Sequence, residues 1–115
     1  CALVKKLIME TNAKIFNLDK LTYSSDLEFL KDFSEELKSR HILLKIDLYD
    51  SKSLEKAILD CKPDLIFNLA AESHVDRSID SPDDFINTNI IGTFNLLKSI
   101  LKYFRNLDSE KKRNF

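Results

Sequence analysis

The 115-residue chain holds a single glycine, Gly92, where average usage of about 7% would supply roughly eight. A phosphate-cradling loop built from several glycines is therefore excluded within this stretch. Cysteine is scarce as well: Cys1 and Cys61 stand far apart, without C-x-x-C spacing, and no apolar secretory segment accompanies them. That usage points to a reducing, cytoplasmic compartment and argues against a disulfide framework. Neither sign of charge prevails, with 18 Lys and Arg against 19 Asp and Glu for a net charge of -1. Interspersed charges of this kind leave no electrostatic footprint for nucleic acid or an anionic membrane, so neither is expected as a partner. What is present, 43% hydrophobic and 32% charged residues, is the composition of about one small globular domain.

Helical and extended signals take turns along the chain, the pattern of a parallel sheet with crossover helices. The chain opens inside a helical pattern (Ala2, Leu3, Leu7 and Ile8 apolar, Lys5 and Lys6 polar) with no cap before it, and reads as a piece that starts within an element. Ala13 to Asp19 reads as a strand ending on an acid. Leu27, Leu30, Phe33 and Leu37 recur at helical spacing and predict an amphipathic helix from Asp26 to Arg40. Ile42 to Leu48 is a second strand, followed by Asp50 as N-cap of a helix from Ser51 to Asp60 that Pro63 closes. Asp64 to Ala71 (DLIFNLAA) is nearly continuous apolar sequence of strand length, expected to be a central strand covered on both faces. Ser81, Pro82, Asp83 and Asp84 start a long helix whose stripe is Ile86, Ile90, Thr93, Leu97, Ile100 and Phe104. Arg105 to Asn114 is a charged tail without periodicity.

An acid ending a strand in such a unit can accept hydrogen bonds from the vicinal hydroxyls of an adenosine ribose, and Asp19 fits that position. Its charge would repel a 2′-phosphate and favour NAD over NADP, with Lys20 next door working against that preference. The alternative is simply an acid in a strand-to-helix turn. Asp47 closes the next strand, where ligands of open α/β sheets collect and an adenine edge would lie, although an isolated acid at such a place is more often only a turn acid. Ala70, Ala71, Glu72 and Ser73 follow the most buried strand, and two small residues there let a flat cofactor approach closely. Ser73, His74 and Asp76 are too near in sequence to converge as a hydrolytic triad. His41 and His74 lack metal spacing to each other and to the cysteines, so no metal site is expected. Arg77 offers a fork to a phosphate or a local salt bridge to Asp76 or Asp80. Gly92 within a helix costs about 1 kcal/mol relative to Ala, so a close approach of some neighbour is expected there.

The run Ala70 to Leu97 (AAESHVDRSIDSPDDFINTNIIGTFNLL) resembles the dTDP-glucose 4,6-dehydratases, nucleotide-sugar enzymes of the extended short-chain dehydrogenase/reductase family. Asp19-Lys20-Leu21-Thr22-Tyr23 is similar to the segment after that family's second strand, and the likeness extends over essentially the whole chain in order and spacing. The resemblance implies a partial NAD-binding Rossmann domain over residues 1–115, an α/β doubly wound parallel sheet lacking its first strand. It implies that Asp19, Lys20, Leu21 and Thr22 hold the adenosine end of NAD, while Asp47 and Leu48 flank the adenine. Leu69, Ala70, Ala71, Glu72 and Ser73 would line the cofactor's inner face, with Ser73 also touching substrate, and Thr88 would contact NAD from the long helix. The implied reaction converts dTDP-glucose to dTDP-4-dehydro-6-deoxyglucose and water, a step toward rhamnose and other deoxysugars, in an enzyme that is commonly a homodimer.

Two family features are missing from these residues. The glycine-rich loop of the first strand is absent, and so is the catalytic Tyr-x-x-x-Lys: four residues beyond Tyr23, Tyr49 and Tyr103 stand Leu27, Ser53 and Leu107. No catalytic residue is therefore assigned within the 115 residues, and the chain alone is expected to be inactive. In the Rossmann order 3-2-1-4-5-6 the missing first strand lies between AKIFNLD and DLIFNLAA, so its absence leaves exposed edges or forces a new pairing, and the isolated chain is expected to be marginal and prone to aggregate. Two further readings stand beside this one: another nucleotide-sugar dehydratase or epimerase, and a noncatalytic Rossmann remnant acting as a binding module.

Overall fold

The computed structural model describes residues 2–21, 28, 31, 33–72 and 82–115, which divide into two compact units, one ending at Lys45 and the other beginning at Ile46. In the first unit, helix α1 (Ala2–Glu10) buries Val4 and Ile8 against Phe33, with Ile15 and Leu37 packed on that cluster. The Arg40 guanidinium closes the end of α1 by donating to the carbonyls of Ile8 (2.7 Å), Thr11 (2.8 Å) and Ala13 (3.2 Å). These are carbonyls the helix and the chain leaving it cannot satisfy alone. Strands β1 (Ile15–Asp19) and β2 (His41–Lys45) pair in parallel, with Ile15 opposite His41 and Asp19 opposite Lys45.

The helix predicted from Asp26 to Arg40 is a correction. Among the described residues of that span α-helix is confined to α2 (Glu35–Ser39), because Ser34 is extended (φ -61, ψ 158) and its hydroxyl accepts from the Leu37 amide, starting a helix afresh. Residues 26, 27, 29, 30 and 32 lie outside the described residues. Phe33 is nonetheless buried and Leu37 packs beside it, as the apolar spacing predicts.

In the second unit, α3 (Ser51–Cys61) is capped by Asp50, whose carboxylate accepts from the Lys52 and Ser53 amides. Lys62 in the left-handed region ends it, with Pro63 next. The predicted long helix is present as α4 (Pro82–Ile86), a π-helical stretch (Asn87–Gly92) and α5 (Thr93–Arg105). Leu54, Ala57 and Ile58 of α3 and Leu96, Ser99 and Tyr103 of α5 are buried where these two helices pack, and Lys102 of α5 pairs with Glu55 of α3. The tail is a second correction: Ser109–Asn114 forms helix α6, because Asp108 caps it by accepting from the Lys111 amide (2.8 Å) and basic residues fill its last turn.

Two further expectations are overturned here. Of the predicted stripe, Ile86, Ile90 and Leu97 are exposed and Thr93, Ile100 and Phe104 half-buried, while the residues the helix buries are Thr88, Gly92, Leu96, Ser99 and Tyr103. Small residues on that face allow close packing, which apolar periodicity does not register. The central strand Asp64 to Ala71 is not a strand, and Leu65, Phe67 and Leu69 are 67%, 53% and 73% exposed. A strand exists through its ladder, and among the described residues the only ladder is β1–β2. The sheet is thus a two-stranded parallel remnant of the doubly wound arrangement.

Candidate cofactor-binding site

Asp19 ends β1, and its carboxylate accepts from the Leu21 amide at 2.7 Å, closing a turn two residues on. Leu21 is held there in the left-handed region (φ 55), a conformation that costs a non-glycine residue roughly 1–2 kcal/mol. Asp19 is therefore a turn acid in fact. Because a carboxylate accepts about four hydrogen bonds, that role is compatible with receiving ribose hydroxyls. Lys20 and Leu21 follow at half-buried positions, and Thr22 lies outside the described residues.

The second unit repeats the device. Strand β2 ends at Lys45, three residues short of the predicted Leu48, and Asp47 accepts from the Tyr49 amide at 2.9 Å in the turn that follows. Asp50 sits one residue beyond, and the Ser53 hydroxyl together with the Ser53 and Lys52 amides holds its carboxyl below the usual range. The turn is docked on the long helix at two points. A Cβ on Gly92 would lie 3.0 Å from the Leu48 Cβ and 3.3 Å from the Asn87 carbonyl oxygen, so a larger residue would push the turn away. Asn95, one turn on, donates from Nδ2 to the carbonyls of Leu48 (3.1 Å) and Tyr49 (3.2 Å). The close approach expected at Gly92 is that of Leu48.

Leu69, Ala70 and Ala71 are exposed, the Ala70 amide donating to the Asn68 side chain. At Glu72 the backbone is pinned: its amide donates to Asn89 Oδ1 at 2.8 Å, and Asn89 Nδ2 donates to its carbonyl at 2.9 Å. Thr88, beside Asn89 in the π-helical stretch, is buried. Ser73 lies outside the described residues, as do His74, Asp76, Arg77 and Asp80. The second unit thus gathers Leu48, Glu72 and Thr88 around one short length of helix, residues 88–95. Stretches of π-helix occur often at functional sites.

Asn89 and Asn95 are the site's contributors that sequence reading overlooks. Their signal is that asparagine is a poor residue for a helix interior unless its amide has work elsewhere. Tyr103 can be set aside as an acid–base candidate: its hydroxyl donates to the Pro63 carbonyl, and burial with the Asp64 carboxylate nearby pushes the phenol up. Among the described residues no three His, Cys, Asp or Glu gather to hold a metal, and no helix is long and apolar enough to cross a membrane.

The sequence profile of the family described as GDP-mannose 4,6 dehydratase matches residues 2–115. The chain is 44% identical over 114 residues to the dTDP-glucose 4,6-dehydratase of Salmonella typhimurium and 41% identical over 114 residues to that of Neisseria gonorrhoeae. Each match takes in 99% of this chain but only 31% and 32% of the respective relative, so the chain spans about a third of the length of these curated relatives. Among solved structures it resembles Pal from Bacillus thuringiensis, with a TM-score of 0.77 and 28% identity over 90% of this chain and 32% of that one. It also resembles the UDP-glucose 4-epimerase of Thermotoga maritima solved with UDP-glucose, with a TM-score of 0.72 and 27% identity over 89% of this chain and 30% of that one.

Proposed function

The chain belongs to the GDP-mannose 4,6 dehydratase family, and from that premise we propose that its 115 residues are part of the NAD-binding domain of a dTDP-glucose 4,6-dehydratase. The observation that carries this reading is the 44% identity to an enzyme of that name, sustained over 114 residues. The run Glu72 to Ile79 (ESHVDRSI) favours the dTDP-glucose branch over GDP-mannose enzymes, in which this segment usually differs.

The residues present fit NAD. Asp19, at the carboxyl end of β1 with Lys20, Leu21 and Thr22 after it, takes the adenosine ribose, and its charge favours NAD over NADP. Asp47 and Leu48 flank the adenine from the turn docked on Gly92 and Asn95. Leu69, Ala70, Ala71, Glu72 and Ser73 line the cofactor, the alanines admitting it closely. Thr88 contacts it from the helix, and Ser73 also meets the substrate. NAD held by these residues would supply a reversible hydride acceptor, and the net reaction would be loss of water from dTDP-glucose to give dTDP-4-dehydro-6-deoxyglucose. The 115 residues contain no Tyr-x-x-x-Lys and supply no catalytic group for that reaction. Their task is to hold the cofactor, in a cytoplasmic enzyme that works as a homodimer.

Expression of the complete reading frame containing this sequence, followed by incubation with dTDP-glucose, GDP-mannose and UDP-glucose without added cofactor, tests the reading. Mass spectrometry should show loss of one water from dTDP-glucose and none from the others, and the 115-residue chain alone should convert nothing. Loss of water from GDP-mannose or UDP-glucose instead would assign another nucleotide-sugar dehydratase, and conversion without change of mass, read by NMR, an epimerase. No turnover of any would leave a noncatalytic binding module.

A further inference from the structure

Asn95 spends its side chain on a turn far from it in sequence. It lies on the first turn of α5, half-buried, and its amide nitrogen donates to two successive carbonyls, Leu48 at 3.1 Å and Tyr49 at 3.2 Å. Three residues earlier, Gly92 admits the Leu48 side chain so closely that even a methyl group would crowd it. Between these two contacts the turn after β2 is fixed in height by the glycine and in orientation by the asparagine. The turn's own hydrogen bonds, Asp47 to the Tyr49 amide and the Asp50 amide to the Asp47 carbonyl, shape it internally but tie it to nothing else. Both carbonyls are main-chain acceptors, so the contact tolerates any side chains on the turn and specifies only where its backbone stands.

We propose that Asn95 is a positioning residue for the adenine end of the cofactor, holding the Asp47–Leu48 turn at the height and angle at which it flanks the base. This rests on the reading that Asp47 and Leu48 border the adenine. The amide's two N–H donors are what the role demands, since each carbonyl otherwise loses its partner where the turn meets the helix. A leucine, close to asparagine in size, preserves packing but removes both donors. A glutamine keeps both donors on a stem one methylene longer. A residue that only filled space would rank these two variants in the opposite order.

The test uses the complete protein, with ADP as a probe that carries the adenine end alone and nicotinamide mononucleotide as a probe of the other end, both measured by calorimetry on cofactor-stripped enzyme. Asn95→Leu should weaken ADP about tenfold, which corresponds to roughly 1.4 kcal/mol, and leave nicotinamide mononucleotide unchanged. Asn95→Gln should restore ADP binding to within about threefold of the parent. With saturating NAD the Leu variant should keep its kcat while requiring more NAD to reach it. If Asn95→Leu binds ADP as the parent does, or loses both probes equally, the positioning role is overturned. If Leu48→Lys also leaves ADP binding intact in a parent that binds it well, the underlying placement of the adenine fails instead. Should Asn95→Leu not fold, Asn95→Ser, with one donor, decides the same question by an intermediate loss.

Discussion

Residues 15–18 and 66–69 spell the same four letters, Ile-Phe-Asn-Leu, and end in different structures. The first copy is β1, paired in parallel with β2 and half-buried throughout. The second makes no strand, leaves Phe67 and Leu69 more than half exposed, and turns the Asn68 side chain onto the Ala70 amide. Propensity is identical by construction, so the difference lies in what each segment can pair with. Extended backbone is stable when its amides and carbonyls meet a neighbour, and the value of a strand-forming side chain is that of the surface it packs on. The Rossmann order supplies the reason: the strand expected between these two segments is not among the 115 residues.

The comparison breaks most visibly if the neighbour is restored. In the complete protein, Phe67→Ala should cost about 3–5 kcal/mol as a core truncation, and the amides of residues 66–69 should be protected from hydrogen exchange. In the 115-residue chain those amides should exchange almost freely while those of 16–18 are retarded, and equal protection of both copies would contradict the account. Next in size is Leu54→Ala, which removes a side chain with 0% exposure from the α3–α5 contact. Denaturant unfolding of the complete protein should report a loss of about 2–5 kcal/mol, because that packing is already whole without a sheet. Gly92→Ala sets a helix gain of about 1 kcal/mol against an overpacking loss of about 1–3 kcal/mol. Since the Leu48 Cβ and the Asn87 carbonyl are both stiffly held, destabilisation by about 1 kcal/mol is expected; a rise in Tm would mean the turn yields easily. The smallest effect concerns β2. Burial holds the His41 imidazole below its ordinary 6.5, so the unfolded chain binds the proton more readily. Stability of the paired strands should therefore rise with pH through the region below 6.5 and fall on acidification, a slope that His41→Gln should remove.

Much of this was legible from residue patterns. The strand ending at Asp19, the Asp50 cap, Pro63 after α3 and the start of the long helix at Pro82 all follow from local chemistry, and the structure has them. What was not legible depends on partners. The DLIFNLAA segment is correct as strand chemistry and lacks its neighbour here, while the helix stripe is correct as periodicity and misses that Gly92 and Ser99 make the tighter contact. The site divides the same way. Asp19 and Asp47 announce themselves as acids after strands, but Asn89 and Asn95 act through backbone atoms 17 and 47 residues away. No spacing rule encodes such a bond, although three asparagines inside one helical pattern mark the place.

Arg40 carries a consequence for how this chain tolerates variation in length. Its guanidinium grips the exit of α1 and the approach to β1 from the residue immediately before β2, so the two strands are brought into register by a clasp at their starting ends. The clasp joins the start of β1 to the start of β2 directly, so the register of the pair does not depend on the length of chain between Leu21 and Phe33. Added chain between two such fixed ends costs only a logarithmic entropy, about 0.6 kcal/mol for each doubling of length. Insertions directly after Leu21, ahead of the buried Phe33, should accordingly leave the pairing of β1 with β2 unchanged.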